Sequence, residues 1–185
     1  TGQAANVKDL IVDGGHVTLA GRVVNQAGRI QADSVREKNG KIELFASEQL
    51  TLKAGSQTTA KGGGEGPSNG GTVLAIADKS KGTALFEKGA TIDVSGGIKG
   101  GHAGFTEVSG SRVRLGGHFR GVANSGYRGG RLLIDPDFVD ITAGLTLTGL
   151  TDISLFSEQD AAGNLLPGHD LTVTGSFDLG TMQLP

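Results

Sequence analysis

The stretch "KGATIDVSGGIKGGHAGFTEVSGSRVRLGGHFRG" (residues 88–121) carries the pattern that decides the fold. In "TIDVSG" (91–96), "FTEVSG" (105–110) and "SRVRLGG" (111–117), apolar residues alternate with polar ones and the run then stops at glycine. Period two is the spacing of side chains on one face of a strand. Each run lasts only about five residues, and the glycines that end it reach the backbone angles and close approaches that tight corners need. The stretch therefore reads as short strands joined by corners, and then the same again.

The same grammar runs along the chain. "HVTLAG" (16–21), "KIELFAS" (41–47), "QLTLKAG" (49–55), "GTVLAIA" (71–77), "RLLIDP" (131–136), "FVDITAG" (138–144), "LTLTG" (145–149), "DISLFS" (152–157) and "DLTVTG" (170–175) all fit it. The segment 34–53 is the best helix candidate, being rich in Glu, Lys and Leu. The turn signal "KNGK" breaks it, and Ile42, Leu44, Leu50 and Leu52 alternate, so it reads as two strands. The runs come in pairs whose starts, at Lys41, Thr72, Phe105 and Leu132, recur at a loose spacing. A loose repeat of short strands points to a β-solenoid, in which each unit buries its apolar side only against its neighbours. A coil of roughly 20–25 residues would give roughly seven to nine coils, stacked at about 4.8 Å. A β-sandwich is the alternative. The whole of 1–185 reads as one β-helical segment, with a candidate sub-boundary near 131–143.

Composition narrows the rest. The 185 residues include 33 Gly, 4 Pro and no Cys, with 36% apolar and 4% aromatic residues, so a core must be built from small aliphatic side chains. The absence of Cys excludes disulfides, Cys-ligated zinc and a thiol nucleophile, and suits export in an unfolded state. No apolar run approaches the roughly 20 residues that span a bilayer, and "TGQAANVKDLIVDGG" (1–15) does not read as a signal peptide. All 17 Lys and Arg lie at or before Arg131, where 11 acids leave a net +6; residues 132–185 hold 8 acids and no Lys or Arg, a net −8.

Four stretches, "KNGKIELFASEQLTLKAGSQTTAKGGG" (38–64), "GGTVLAIADKS" (70–80), "GATIDVSGGIKGGHAGFTEVSG" (89–110) and "GYRGGRLLIDPDFVDI" (126–141), resemble filamentous-haemagglutinin-type exoproteins of two-partner secretion. "IDVSGG", "HAGFTEVSG" and "GGRLLIDP" are the most specific parts, and the resemblance covers about 21–142. It implies a right-handed parallel β-helix, exported from a Gram-negative bacterium through an outer-membrane secretion partner and placed at or beyond the cell surface. Family members act as adhesins, haemolysins or stalks that carry a toxic domain. The family's "NPNG"-type segment has only a faint echo here, "NQAG" (25–28), so the secretion step is not assigned to these residues. "KSKGTALFEK" (79–88) departs from the family pattern as an insert that lengthens one coil.

The basic segment 111–131 holds Arg112, Arg114, Arg120, Arg128 and Arg131 with His118, Phe119 and Tyr127, and no acid. Guanidinium groups fork onto sulfate, carboxylate or phosphate, and aromatics stack on sugar faces. Arg112, Arg114, Arg120, Arg128, Arg131, Phe119 and Tyr127 are thus the candidate site for an anionic glycan; a host surface glycan or protein is the partner class expected of the segment. The plain alternative is a solvated outer face plus a flexible loop at 117–130. On a strand, Arg112 and Arg114 would point outward while Val113 and Leu115 face the core. Nucleic acid is not expected: net charge is −2 and no motif for it is present.

Asp135, Asp137 and Asp140 in "DPDFVD" alternate as calcium ligands can, but the glycine and distal Glu of an EF-hand loop are missing and Pro136 favours a simple turn. A paired-acid reading would make Asp135 and Asp137 the carboxylates of a polysaccharide-cleaving β-helix enzyme. His16, His102, His118 and His169 form no metal motif. "KGGGEGPSNGG" (61–71) leads into a strand and lacks the "GK[ST]" of a phosphate loop. No catalytic residue, metal or cofactor is assigned. The expectation is a structural and adhesive segment; the alternatives are the enzyme and a toxin-delivery stalk.

Overall fold

The computed structural model describes residues 2–35 and 38–155, together with the backbone of 171–174. Among these residues there is no helix, and hence none long and apolar enough to cross a membrane. One sheet holds β1 (Gln3–Asn6), β3 (His16–Gln26), β5 (Lys41–Leu52), β7 (Thr72–Ala77), β8 (Thr83–Phe86), β10 (Phe105–Leu115), β12 (Gly130–Thr142), β14 (Leu150–Leu155) and β15 (Leu171–Thr174). The other holds β2 (Asp9–Ile11), β4 (Arg29–Gln31), β6 (Gln57–Thr59), β9 (Thr91–Asp93), β11 (His118–Arg120) and β13 (Thr146–Thr148). "DISLFS" and "DLTVTG" thus appear as β14 and β15, with their ends and His169 outside the described residues.

Every pairing between these strands is parallel. The sandwich alternative, with its antiparallel layers, fails on this observation. The only antiparallel contacts among the described residues are single bridges inside loops, Val35 with Lys38 and Gly97 with Gly100. The chain returns to three stations in cyclic order. The first face stacks 16–21, 41–46, 72–77, 105–109, 131–135 and 152–155. The second stacks 3–6, 23–26, 49–52, 83–86, 112–115, 138–142 and 171–174. The smaller sheet is the third. The long strands β3, β5, β10 and β12 run from the first face into the second. In β10 the buried set changes from Thr106 and Val108 to Val113 and Leu115, so the alternation inverts at the bend around Gly110.

Parallel register stacks like positions into rows inside the coil. Val17, Ile42, Val73, Thr106 and Leu132 form one; Val24, Leu50, Ala84, Val113 and Val139 another; Ile30, Thr58, Ile92, Phe119 and Leu147 a third. All but Leu147, Val17 and Val139 are at most 2% exposed, and those three reach only 5%. Fully burying one such aliphatic side chain stabilises by about 1.5–3 kcal/mol. Phe86 and Phe119, both buried, meet in the interior with ring centroids 4.5 Å apart. The buried amide of Gln26 is satisfied by Gly28 O and Gln57 O, each at 3.0 Å, and by Asn6 Nδ2 at 2.9 Å, as a polar group in such a core must be.

Glycine marks the corner that leads into the first face. Gly40, Gly71 and Gly104 stand directly before the strands and Gly130 opens β12, and the N–H groups of Thr72, Phe105 and Arg131 bond to Gly40 O, Gly71 O and Gly104 O, each at 3.0 Å. A Cβ on Gly71 would lie 2.1 Å from Gly40 O, and one on Gly104 1.9 Å from Gly71 O. Here the requirement is close approach of successive coils rather than an unusual φ.

The register gives coils of unequal length. Gln3 pairs with Val23, Lys41 with Thr72, Thr72 with Phe105 and Phe105 with Arg131, so the loose repeat of the sequence is the true coil repeat. The middle coils exceed the expected length, and the third face is stacked six strands deep among the described residues, fewer than the coil count expected. The excess sits mostly at one corner, between the third and first faces, in loops 32–40, 60–71, 94–104 and 121–129. The supposed insert 79–88 contains β8, a regular second-face strand paired with both β5 and β10. The true addition is the short turn at 78–82, closed by Gly82 N–H to Asp78 O at 2.7 Å.

Candidate functional site

The three-sided winding divides the basic segment. Arg112 and Arg114 point out from the second face, and Val113 and Leu115 point in, as expected. Arg112 lies over the ring of Phe138 at 4.5 Å, and Arg114 Nε donates to Asp140 at 2.9 Å. Arg120 stands on the third face, 3.4 Å from Asp93. Arg128 and Tyr127 belong to the corner loop 121–129, and Arg131 opens the next first-face strand. Five arginines close in sequence are therefore spread over all three faces and one corner loop.

Phe119 must be removed from the candidate set. It is the one inward side chain of β11, 1% exposed and packed on Phe86, so it cannot stack on a ligand. The plain alternative, with its flexible loop at 117–130, also fails for 118–120, which pair with β9 and β13. Tyr127 remains outward, 39% exposed, edge-on to His102 at 5.4 Å between ring centroids.

The acidic candidates are dispersed as well. Asp135, on the first face, is 2.5 Å from Lys79, while Asp140, on the second, is taken by Arg114. β12 carries Asp135, Asp137 and Asp140 across a bend. No group of three His, Asp or Glu side chains suited to a metal ion occurs among the described residues. Lys79 also approaches Glu107 at 4.0 Å, and Asp135 first and Glu107 with it hold the Lys79 ammonium above its usual range. On the third face, burial pushes the His118 imidazole below its usual range, and Arg120 adds to the shift while Asp93 opposes it. Its Nε2 lies 2.9 Å from Thr148 Oγ1.

What the fold does assemble is a ridge of loops at one corner, with a groove beside it. The loops stack by backbone bonds as strands do: Ser34 N–H to Lys61 O at 2.6 Å, Gly62 N–H to Ser95 O at 2.8 Å, Gly70 N–H to His102 O at 2.8 Å, and Ala103 N–H to Arg128 O at 2.9 Å. Between this ridge and the first face lies an open groove of about 660 Å³. Asn39, Asn69, His102 and Arg128 line one side, one from each successive loop, and Thr72, Phe105 and Arg131 line the other. Reading the residues singly did not find Asn39, Asn69 or His102 as a set. The signal that would have found them is positional: "NG", "NGG", "HAG" and "RGG" all end on the glycine that opens a first-face strand. Comparison with known protein families, curated proteins and solved structures finds no match to this chain.

Proposed function

We propose that this chain is a structural and adhesive segment of a secreted or surface-anchored exoprotein of a Gram-negative bacterium. It is wound as a right-handed parallel β-helix and exported through an outer-membrane partner. Right-handedness rests on the parallel crossovers, which take that hand in about 98% of cases. The family reading rests on where its motifs fall. "IDVSGG" puts Ile92 into the core row of the third face, and "GGRLLIDP" supplies the corner glycine and the first-face strand that follows it.

The observation that carries the proposal is the concentration of loop length at one corner of an otherwise tight coil. A stiff stack that varies along one edge is a device for holding contact loops away from a cell. Loops carry recognition because a rigid scaffold tolerates changes in them. The role is presentation, and no residue is assigned to catalysis.

Surface labelling of intact cells with antibody to this chain tests the placement. The expected result is labelling of the surface or recovery from the culture medium; antigen confined to the cytoplasm overturns the proposal. Beads coated with the protein should adhere to host cells and be displaced by the free protein, whereas beads that bind no better than uncoated ones remove the adhesive role.

A further inference from the structure

We propose that the groove between the loop ridge and the first face binds a linear acidic polysaccharide lying along the coil axis. The proposal deepens the reading of the chain as an adhesive segment and rests on it. Repetition is the first argument. Lys41, Thr72, Phe105 and Arg131 are register partners, and the loops put Asn39, Asn69, His102 and Arg128 beside them. With coils about 4.8 Å apart, the groove runs roughly 20 Å from Asn39 to Asp152. Between the two files the floor is the glycine backbone, which no side chain can fill: a Cβ on Gly70, Gly71 or Gly104 would lie 2.0, 2.1 or 1.9 Å from a carbonyl oxygen. A long, open trough with a donor at each step fits an extended polymer rather than a compact ligand.

The donors are pre-set. His102 Nδ1 accepts the Arg128 N–H at 2.9 Å, so the ring proton sits on Nε2 and is free to donate. Asn69 Oδ1 accepts the His102 N–H at 2.8 Å, which turns the Asn69 amide N–H₂ away from that bond. Tyr127 stands edge-on against His102 and fixes the ring. The Arg131 guanidinium lies over the Phe105 ring at 5.3 Å, which leaves its N–H edge for a planar anion. Arg128 and Arg131 have no acidic ion-pair partner among the described residues, unlike Arg114 and Arg120. One acid, Asp152, closes the far end beside Arg131. Two unpaired guanidinium groups among amides and an imidazole suit a chain with spaced carboxylates or sulfates and many hydroxyls. They suit the dense charge of a nucleic acid less well.

The test is titration of the protein with hyaluronan, dextran sulfate, neutral dextran and single-stranded DNA. It uses the wild type, R128A/R131A, H102A and the off-groove control R112A/R114A, with melting temperature as the fold check. The expected result is binding to at least one acidic polysaccharide, which the preference between hyaluronan and dextran sulfate assigns to carboxylate or sulfate. R128A/R131A should weaken it by about tenfold or more, with an unchanged melting temperature, and R112A/R114A should leave it intact. H102A should weaken it less; H102N, which can still accept the Arg128 N–H, serves if H102A melts early. Equal loss in R112A/R114A, equal binding of neutral dextran, tightest binding of DNA, or no binding to either acidic polysaccharide overturns the groove. Surface display without polysaccharide binding sinks this inference alone, and binding by a protein found only in the cytoplasm sinks the surface reading alone.

Discussion

The interior rows and the loop ridge use the same residues under opposite rules. Inside, each position repeats at every coil, and its neighbours above and below are set by register. On the ridge the loops are not all of one length and their sequences differ, yet their bases are tied by the same coil-to-coil backbone bonds. The difference teaches that the coil fixes only the entry and exit of each loop. What lies between is free to vary, and the recognition chemistry proposed here sits where the variable part meets the fixed one.

The comparison predicts a steep gradient in mutational cost. Phe119→Ala should be the most damaging change, because it empties a ring buried against Phe86 in a core short of aromatics; the expected loss is about 3–5 kcal/mol in a denaturant titration. If Phe119 instead faced a ligand, as the sequence alone suggested, stability would hardly change. Gly104→Ala should cost about 3 kcal/mol, at the upper end for overpacking, because the obstacle is backbone. Gly66→Ala, on the ridge with nothing within 4 Å of its new Cβ, should shift stability by no more than about 0.5 kcal/mol. Similar costs at the two glycines would erase the distinction between stack and ridge.

A pH titration sharpens the comparison further. Because the folded His118 pKa is depressed, the unfolded chain binds more protons as pH falls below the usual value near 6.5. That contribution to stability is present above 6.5 and lost progressively as pH drops toward the folded value. His118→Gln should flatten this part of the stability profile, and an unchanged slope would contradict the half-buried placement on the third face. The smallest effect is expected from Lys79→Ala, which removes an exposed ion pair with Asp135 and should cost about 0–1 kcal/mol.

Much of the stack was legible from sequence. Period two located the first-face strands, the second-face strands at 49–52, 112–115, 138–142 and 171–174, and β9 and β13 of the third face, but not the second-face strands at 3–6, 23–26 and 83–86; the spacing of Lys41, Thr72 and Phe105 was the coil repeat itself. The third face was harder for a physical reason. A three-residue strand such as "HFR" has a single inward side chain, so no alternation exists to read, and in "QTT" the inward residue is the polar Thr58. Phe119 was misplaced for that cause. β8 was hidden because Leu85 points outward between inward Ala84 and Phe86, which leaves "ALF" without visible alternation. The basic patch could not be resolved from sequence at all, since residues 112, 120 and 128 are close along the chain but the winding puts them on different sides.

The account stands on parallel winding, and spin labels at outward positions of β10 and β12 test it most directly, helped by a chain that has no native cysteine. Register pairs Glu107 with Leu133 and Arg114 with Asp140, so cysteine pairs at 107/133 and at 114/140 should both show strong dipolar broadening, and pairs at 107/140 and 114/133 should not. Broadening at 107/140 and 114/133 in place of the other two would mean antiparallel strands, and would contradict the coil and everything built on it.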